Sequence, residues 1–121
     1  TYAERVTAPG LNLLSAPGND LVASTALAAS GAQAVLFSTG RGTPFGCPVP
    51  TIKISSNTPL AVKKHAWIDF NAGRLLDGMT LDELGEDLMS LVLAVASGEK
   101  LARNEENGFR EIAIFKQGVT L

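Results

Sequence analysis

VLFSTGRGTPFGCPVPTIKISSNT, residues 35–58, joins two apolar runs through a loop that no ordinary turn requires. The loop carries Gly40, Gly42 and Gly46 interleaved with Pro44, Pro48 and Pro50. Glycine admits positive φ and lets a ligand approach the backbone, whereas proline fixes φ and removes a donor, so their alternation predicts a shaped loop. Arg41 is its one fixed cation, set among the hydroxyls of Ser38, Thr39 and Thr43. A guanidinium presents a rigid fork of donors matched to a carboxylate or phosphate, and amides near glycines can add an anion-binding concavity. A solvated arginine in a plain Gly/Pro connection is the structural alternative, and TGRGTPFG satisfies neither the P-loop nor the GxGxxG pattern.

Outward from this loop, strand and helix signals alternate. Residues 1–10 end in Pro9-Gly10 and read as a lead-in or linker from a preceding domain; residues 11–121 read as a single α/β domain. Leu11–Ser15 is a short apolar run, followed by a turn and cap at Pro17–Asp20 and a helix from Leu21 to Ser30. Ala34–Phe37 is nearly all apolar, as expected for a strand covered on both faces. Thr51–Ser55 alternates as a strand, Leu60–Lys64 is short and helical or irregular, and Trp67–Phe70 reads as a fourth strand. Leu81, Leu84, Leu88, Leu91, Val92 and Val95 recur at helical spacing, begun by the capping-box pair Thr80 and Glu83 and ended by Gly98. Residues 99–109 form a polar loop and Glu111–Phe115 a closing strand. This order predicts a mostly parallel open sheet of about five strands with helices on both faces, in Rossmann-like or flavodoxin-like layers joined by βαβ crossovers.

In such a sheet the ligand crevice lies beyond the carboxyl ends of the strands. Residues 15–20, the loop 38–46 and Ser55–Asn57 all fall there, with Asp69 and Asn71 at the end of the fourth strand.

With 121 residues, 45% hydrophobic and 18% charged, the chain can bury a core without a disulfide. Its single cysteine, Cys47, points to a reducing, cytoplasmic compartment. A net charge of −2 gives no basic footprint for nucleic acid, no apolar run of 18 residues is present to span a membrane, and the start TYAERVTAPG does not read as a signal peptide. A pocket for an anion must therefore obtain its positive potential locally.

Each candidate has a structural alternative. Asn19 and Asp20 read first as a helix cap, and Asn57 either as an Asx-turn before Thr58-Pro59 or as a ligand. Asp69 points away from Ile68 and Phe70, as a metal ligand, a general base or a hydrogen-bonded structural carboxylate. Lys53, between Ile52 and Ile54, reads as an exposed strand lysine, with an activated base as the less common alternative. His65 belongs with Lys63 and Lys64 to a solvated basic patch, Cys47 lacks a histidine partner, the Leu/Val stripe is core or a subunit interface, and Trp67 and Phe70 are core aromatics.

The segments STGRGTPFG, VPTIKISSNTPLA, WIDFNAGRLL, LAVASGE and NGFREIAIFKQGVTL, with the early APGLNLLSAPGNDLVAST, together resemble the C-terminal part of the altronate and galactarate dehydratase family. The likeness extends over essentially the whole chain, and PFG after TGRGT and the ending REIAIFK resemble its altronate-type branch. The resemblance implies a hydro-lyase that removes water from an aldonate or aldarate to give a 2-keto-3-deoxy acid. It also implies a divalent metal, iron(II), bound mainly by other domains. On this reading Thr39, Gly40, Arg41, Gly42, Thr43, Asn57 and Asn71 bind the substrate, Asp69 is the catalytic carboxylate, and the metal ligands are unknown. The expected partners are a sugar-acid substrate, the remaining domains of a longer enzyme and further copies in a homo-oligomer, with the isolated domain inactive. The rival expectation is a non-catalytic α/β module for anion binding or assembly.

Overall fold

Helix α1 (Asp20–Ala29) begins where Asn19 accepts the Val22 amide through its side chain, as the cap reading required. Strand β1 (Val35–Thr39) follows, then β2 (Thr51–Ser55), helix α2 (Thr58–Lys63), the two-residue strand β3 (Phe70–Asn71) and a 3₁₀ helix at Ala72–Asp77. Helices α3 (Leu81–Ala96) and α4 (Arg103–Glu106) complete the order. The computed structural model describes residues 3–114.

The sheet is parallel, as expected, but has three strands in the order β1-β2-β3 and not about five. Leu11–Ser15 forms no strand; Leu11 and Leu13 are 94% and 93% exposed, so this apolar run found no sheet edge to pair with. Only Phe70 of the expected fourth strand is in the sheet, while Trp67 lies half-buried in the preceding turn. Residues 111–114 of the expected closing strand form none, and Phe115 lies outside the described residues. What survives there is a reciprocal pairing: the Glu111 amide donates to the Gly46 carbonyl at 2.7 Å, and the Gly46 amide to the Glu111 carboxylate at 3.0 Å.

The connection from β1 to β2 contains no helix, so residues 40–50 make the parallel return alone. This explains their composition: glycines and prolines bend a chain that must run back the length of a strand without regular hydrogen bonding. Between β2 and β3 the return uses α2, capped by the Asn57 side chain on the Leu60 amide at 2.9 Å, with Pro59 in the first turn.

β2 is buried on both faces. Ile52, with Ile54, meets Leu91, Val92 and Val95 of α3 and Ala102 before α4, an apolar cluster from well-separated parts of the chain. β1, at the edge, is covered less than expected: Leu36, level with Ile52, is 52% exposed. α3 starts with the predicted capping box, in which Thr80 Oγ1 accepts the Glu83 amide at 3.3 Å and Glu83 accepts the Thr80 amide at 2.9 Å. Its stripe is core at Leu84 and Val95, whereas Leu81, in the first turn, is exposed. The expected polar loop 99–109 contains α4, whose buried Asn104 accepts the Thr51 amide at 2.9 Å.

Candidate functional site

β1 and β2 stop side by side at Thr39 and Ser55, and the Ser56 amide still reaches the Thr39 carbonyl at 3.0 Å. Beyond that point the glycine loop closes on itself. Thr39 Oγ1 accepts the amides of Arg41 at 3.3 Å and Gly42 at 2.9 Å, so these amides are spent inside the loop and do not form an open anion nest. Gly42 sits at φ 76°, and a Cβ there would lie 3.0 Å from Lys64 Cδ and 3.1 Å from Leu60 Cδ1, so the position needs glycine on conformation and space alike. The carbonyls turn the other way. Lys64 Nζ donates to those of Arg41 and Gly42 at 2.6 and 3.1 Å, and Lys53 Nζ to that of Thr43 at 2.6 Å.

Around this loop the remaining donors are loosely held. Asn57 Nδ2 reaches the Gly40 carbonyl and Ser56 Oγ only at 3.4 Å, and Thr43 Oγ1 reaches the Asp20 carboxylate at the same distance. These contacts lie beyond the usual range of a good hydrogen bond. Thr43 also borders an open cleft with Gly18, Asn19, Asp20, Leu21 and Phe45, so the turn before α1 does meet the glycine loop. Arg41 is exposed, and its guanidinium makes no hydrogen bond or ion pair among the described residues.

The expected residues are thus brought together unequally. Thr39, Gly40, Arg41, Gly42 and Asn57 share the carboxyl edge of β1 and β2. Asn71 ends β3 beside Ser55; its Oδ1 accepts the Gly73 amide at 2.9 Å, and its Nδ2 donates to Thr58 Oγ1, which in turn donates to Asp77. Asp69 stands one residue before β3, turned toward α4. Both its oxygens accept backbone amides at 2.7 Å, from Lys53 and from Arg103, so the structure gives it bonding of the structural kind. Burial pushes its carboxyl above the ordinary range, and those same amides pull it back.

Lys53 departs from its reading as an exposed strand lysine. It is 1% exposed, with Nζ 4.9 Å from the centre of the Phe45 ring and 6.0 Å from that of Phe109. Loss of water lowers its ammonium to about 8, against the opposing pull of the Asp69 and Glu111 carboxylates. The signal was present in TIKIS: a central parallel strand is covered on both faces, so the residue alternating with two isoleucines is buried as well. Cys47 is buried against Thr51 Oγ1 at 3.3 Å, and the ring of exposed His65 lies 3.4 Å from the Val62 carbonyl.

Among the described residues no group of three or more His, Cys, Asp or Glu side chains comes together as a metal centre. With both oxygens of Asp69 already accepting amides, the donor set here does not fit a divalent cation by itself. No helix among them is long and apolar enough to cross a membrane.

Comparison with known proteins gives a family model described as D-galactarate/Altronate dehydratase, C-terminal, which matches residues 1–120. The chain is 57% identical over 120 residues to altronate dehydratase of Escherichia coli (strain K12), which covers 99% of this chain and 24% of that protein. It is 54% identical over 121 residues to altronate dehydratase of Bacillus subtilis (strain 168), with the same shares covered. To galactarate dehydratase (L-threo-forming) of Escherichia coli it is 38% identical over 115 residues, 93% of this chain and 22% of that protein. The chain therefore spans about a quarter of the length of the curated relatives it matches.

Proposed function

Since this chain belongs to the D-galactarate/altronate dehydratase C-terminal family, we propose that it is the part of a sugar-acid dehydratase, of altronate type, that grips a substrate carboxylate. The observation that carries this reading is Arg41: in a loop where the neighbouring amides and carbonyls are bonded inward, its guanidinium alone projects without an acceptor. A planar fork of donors at the carboxyl edge of a parallel sheet matches a carboxylate bidentately. Asn57 Nδ2 and Thr43 Oγ1, held only at 3.4 Å, can exchange those contacts for substrate hydroxyls, Asn57 while its Oδ1 stays on the Leu60 amide. Thr39 and Gly42 shape the loop and Asn71 braces the ends of β2 and β3.

Dehydration of a polyhydroxy acid requires removal of the proton α to the carboxylate, stabilisation of the enediolate, and a proton for the departing hydroxyl. Holding the carboxylate against Arg41 lowers the cost of charge developing on it and orients the α-carbon. Asp69 serves as a brace from the far side of β2, and no proton transfer is assigned to it. The iron(II) of the reading is placed with ligands from the rest of the enzyme, and no step on these residues is routed through it. The reading includes a cytoplasmic enzyme that works as a homo-oligomer with its remaining domains; the lone buried thiol of Cys47 is consistent with that compartment.

In the full-length enzyme, Arg41→Lys keeps the charge and loses the fork. Turnover of altronate is expected to fall by about tenfold or more, equivalent to about 1.4 kcal/mol, with folding intact. Full activity in that variant would sink the carboxylate assignment. It would favour the second reading, a non-catalytic anion-binding or assembly module, which draws on the inward bonding of the loop's amides and carbonyls.

A further inference from the structure

Two lysines, buried Lys53 and half-buried Lys64, turn their ammonium groups onto main-chain carbonyls of the glycine loop. An ammonium removed from water is ordinarily matched to a carboxylate, because the desolvation cost is otherwise left uncompensated. Neither Lys53 nor Lys64 makes an ion pair among the described residues. Lys53 spends its one short bond on the Thr43 carbonyl at 2.6 Å, and Lys64 spends two on the carbonyls of Arg41 and Gly42. They come from different elements, the middle of β2 and the end of α2, yet converge on three consecutive carbonyls of one loop. Each is steadied by aromatic rings, Lys53 by Phe45 and Phe109, and Lys64 by Trp67 at 5.1 Å.

We propose that Lys53 and Lys64 are positioning residues for Arg41, a pair of ammonium groups that clamp the carbonyls of residues 41–43 and so fix the direction in which the guanidinium projects. The clamp also changes what an approaching anion meets. Carbonyl oxygens repel a carboxylate, and here three in a row are turned onto positive charge, while Thr39 Oγ1 holds the Arg41 and Gly42 amides from the other side. The peptide planes of the loop are thereby set from both edges, which leaves the Arg41 side chain on a fixed base. Sequence alone does not suggest the pairing, since Lys53 and Lys64 read as an exposed strand residue and part of a solvated patch. As a substrate-positioning device the clamp rests on the carboxylate-binding reading of Arg41.

The test uses the full-length enzyme with Lys53→Met and Lys64→Met, which keep most of each stem and remove the ammonium. Steady-state kinetics on altronate and hydrogen exchange of the peptide spanning residues 40–46 are measured for both. The expected result is a rise in KM of about tenfold with kcat changed by less than about threefold, together with faster exchange at residues 40–46 and unaltered protection of α3. Lys64→Arg, which retains charge and donors, is expected to recover most of the lost affinity. A collapse of kcat at unchanged KM would overturn the proposal by placing a lysine in the chemistry; a lowered melting temperature with unchanged KM and unchanged loop exchange would overturn it by making the role one of stability alone. Should Lys53→Met fail to fold, the half-buried Lys64 decides the matter. Should Arg41→Lys prove fully active, the carboxylate reading falls, and the exchange measurement still judges whether the clamp exists.

Discussion

Asp69 accepts the main-chain amide of Lys53 at 2.7 Å, and it is also the carboxylate that acts most strongly on that residue's buried ammonium. One side chain therefore pins the middle of β2 and supplies part of the field its lysine feels. Its second oxygen holds the Arg103 amide at 2.7 Å, so Asp69 ties the sheet to the start of α4.

Asp69→Asn tests that tie. An amide group offers one acceptor where two amides need one each, and it turns an NH₂ toward an N–H. A destabilisation of about 1.5–3 kcal/mol is expected in chemical denaturation, the usual scale for a bond to a charged group. A variant as stable as the parent would show that the two amides do not depend on the carboxylate.

Lys53 makes stability depend on alkaline pH. Its proton leaves at about 8 in the folded protein and at 10.5 ordinarily, so between those values the unfolded chain binds more protons than the folded one. Stability contributed at this site accordingly rises with pH through that window, and below it the cost of burying the charge is fully present. Comparing parent with Lys53→Met at about pH 7.5 and about pH 9.5, the parent should gain relative to the variant. A pH-independent difference would mean that the ammonium is not desolvated.

Thr80→Ala removes the hydroxyl that receives the Glu83 amide, and should cost about 1 kcal/mol. The reciprocal bonds from Thr80 hold the Glu83 carboxyl below its ordinary value of 4.5. Its contribution is thus present above that value and lost as pH falls through the lower folded one. The Thr80 amide, the larger cause, survives in Thr80→Ala, so the melting temperature of the variant should show a smaller acid-side loss than that of the parent, by the share of the missing hydroxyl.

Gly73→Ala probes a close approach of two backbone segments. A Cβ at Gly73 would stand 2.3 Å from the Thr58 amide nitrogen and 2.6 Å from the Asn57 carbonyl carbon, both main-chain atoms that a rotamer change cannot move. A loss of about 1–3 kcal/mol is expected from overpacking. The displacement should also reach the Asn57 cap of α2, visible as faster exchange of the Leu60 amide.

The features legible in the sequence are those whose partners lie a few residues away. Asn19 and Thr80 announce helix starts because each bonds an amide three residues on, and the apolar runs at Val35 and Ile52 announce buried strands. The glycine loop was legible as shaped, and Arg41 as its cation, because glycine, proline and arginine carry their constraints in their own covalent structure.

What tertiary structure alone decided is which candidate segments found a partner and which polar groups lost water. Leu11–Ser15 is as apolar as β1 yet stays outside the sheet, since a strand exists only where a neighbour completes its hydrogen bonds. Asp69 receives amides from residues 16 and 34 positions away, and the loop carbonyls of residues 41 and 42 take an ammonium from Lys64 at the end of α2. Such pairings depend on how the chain closes over distance and not on local preference, and the burial of Lys53 follows from the same closure: Phe45 and Phe109 reach it only after the loop and the C-terminal segment have folded across β2.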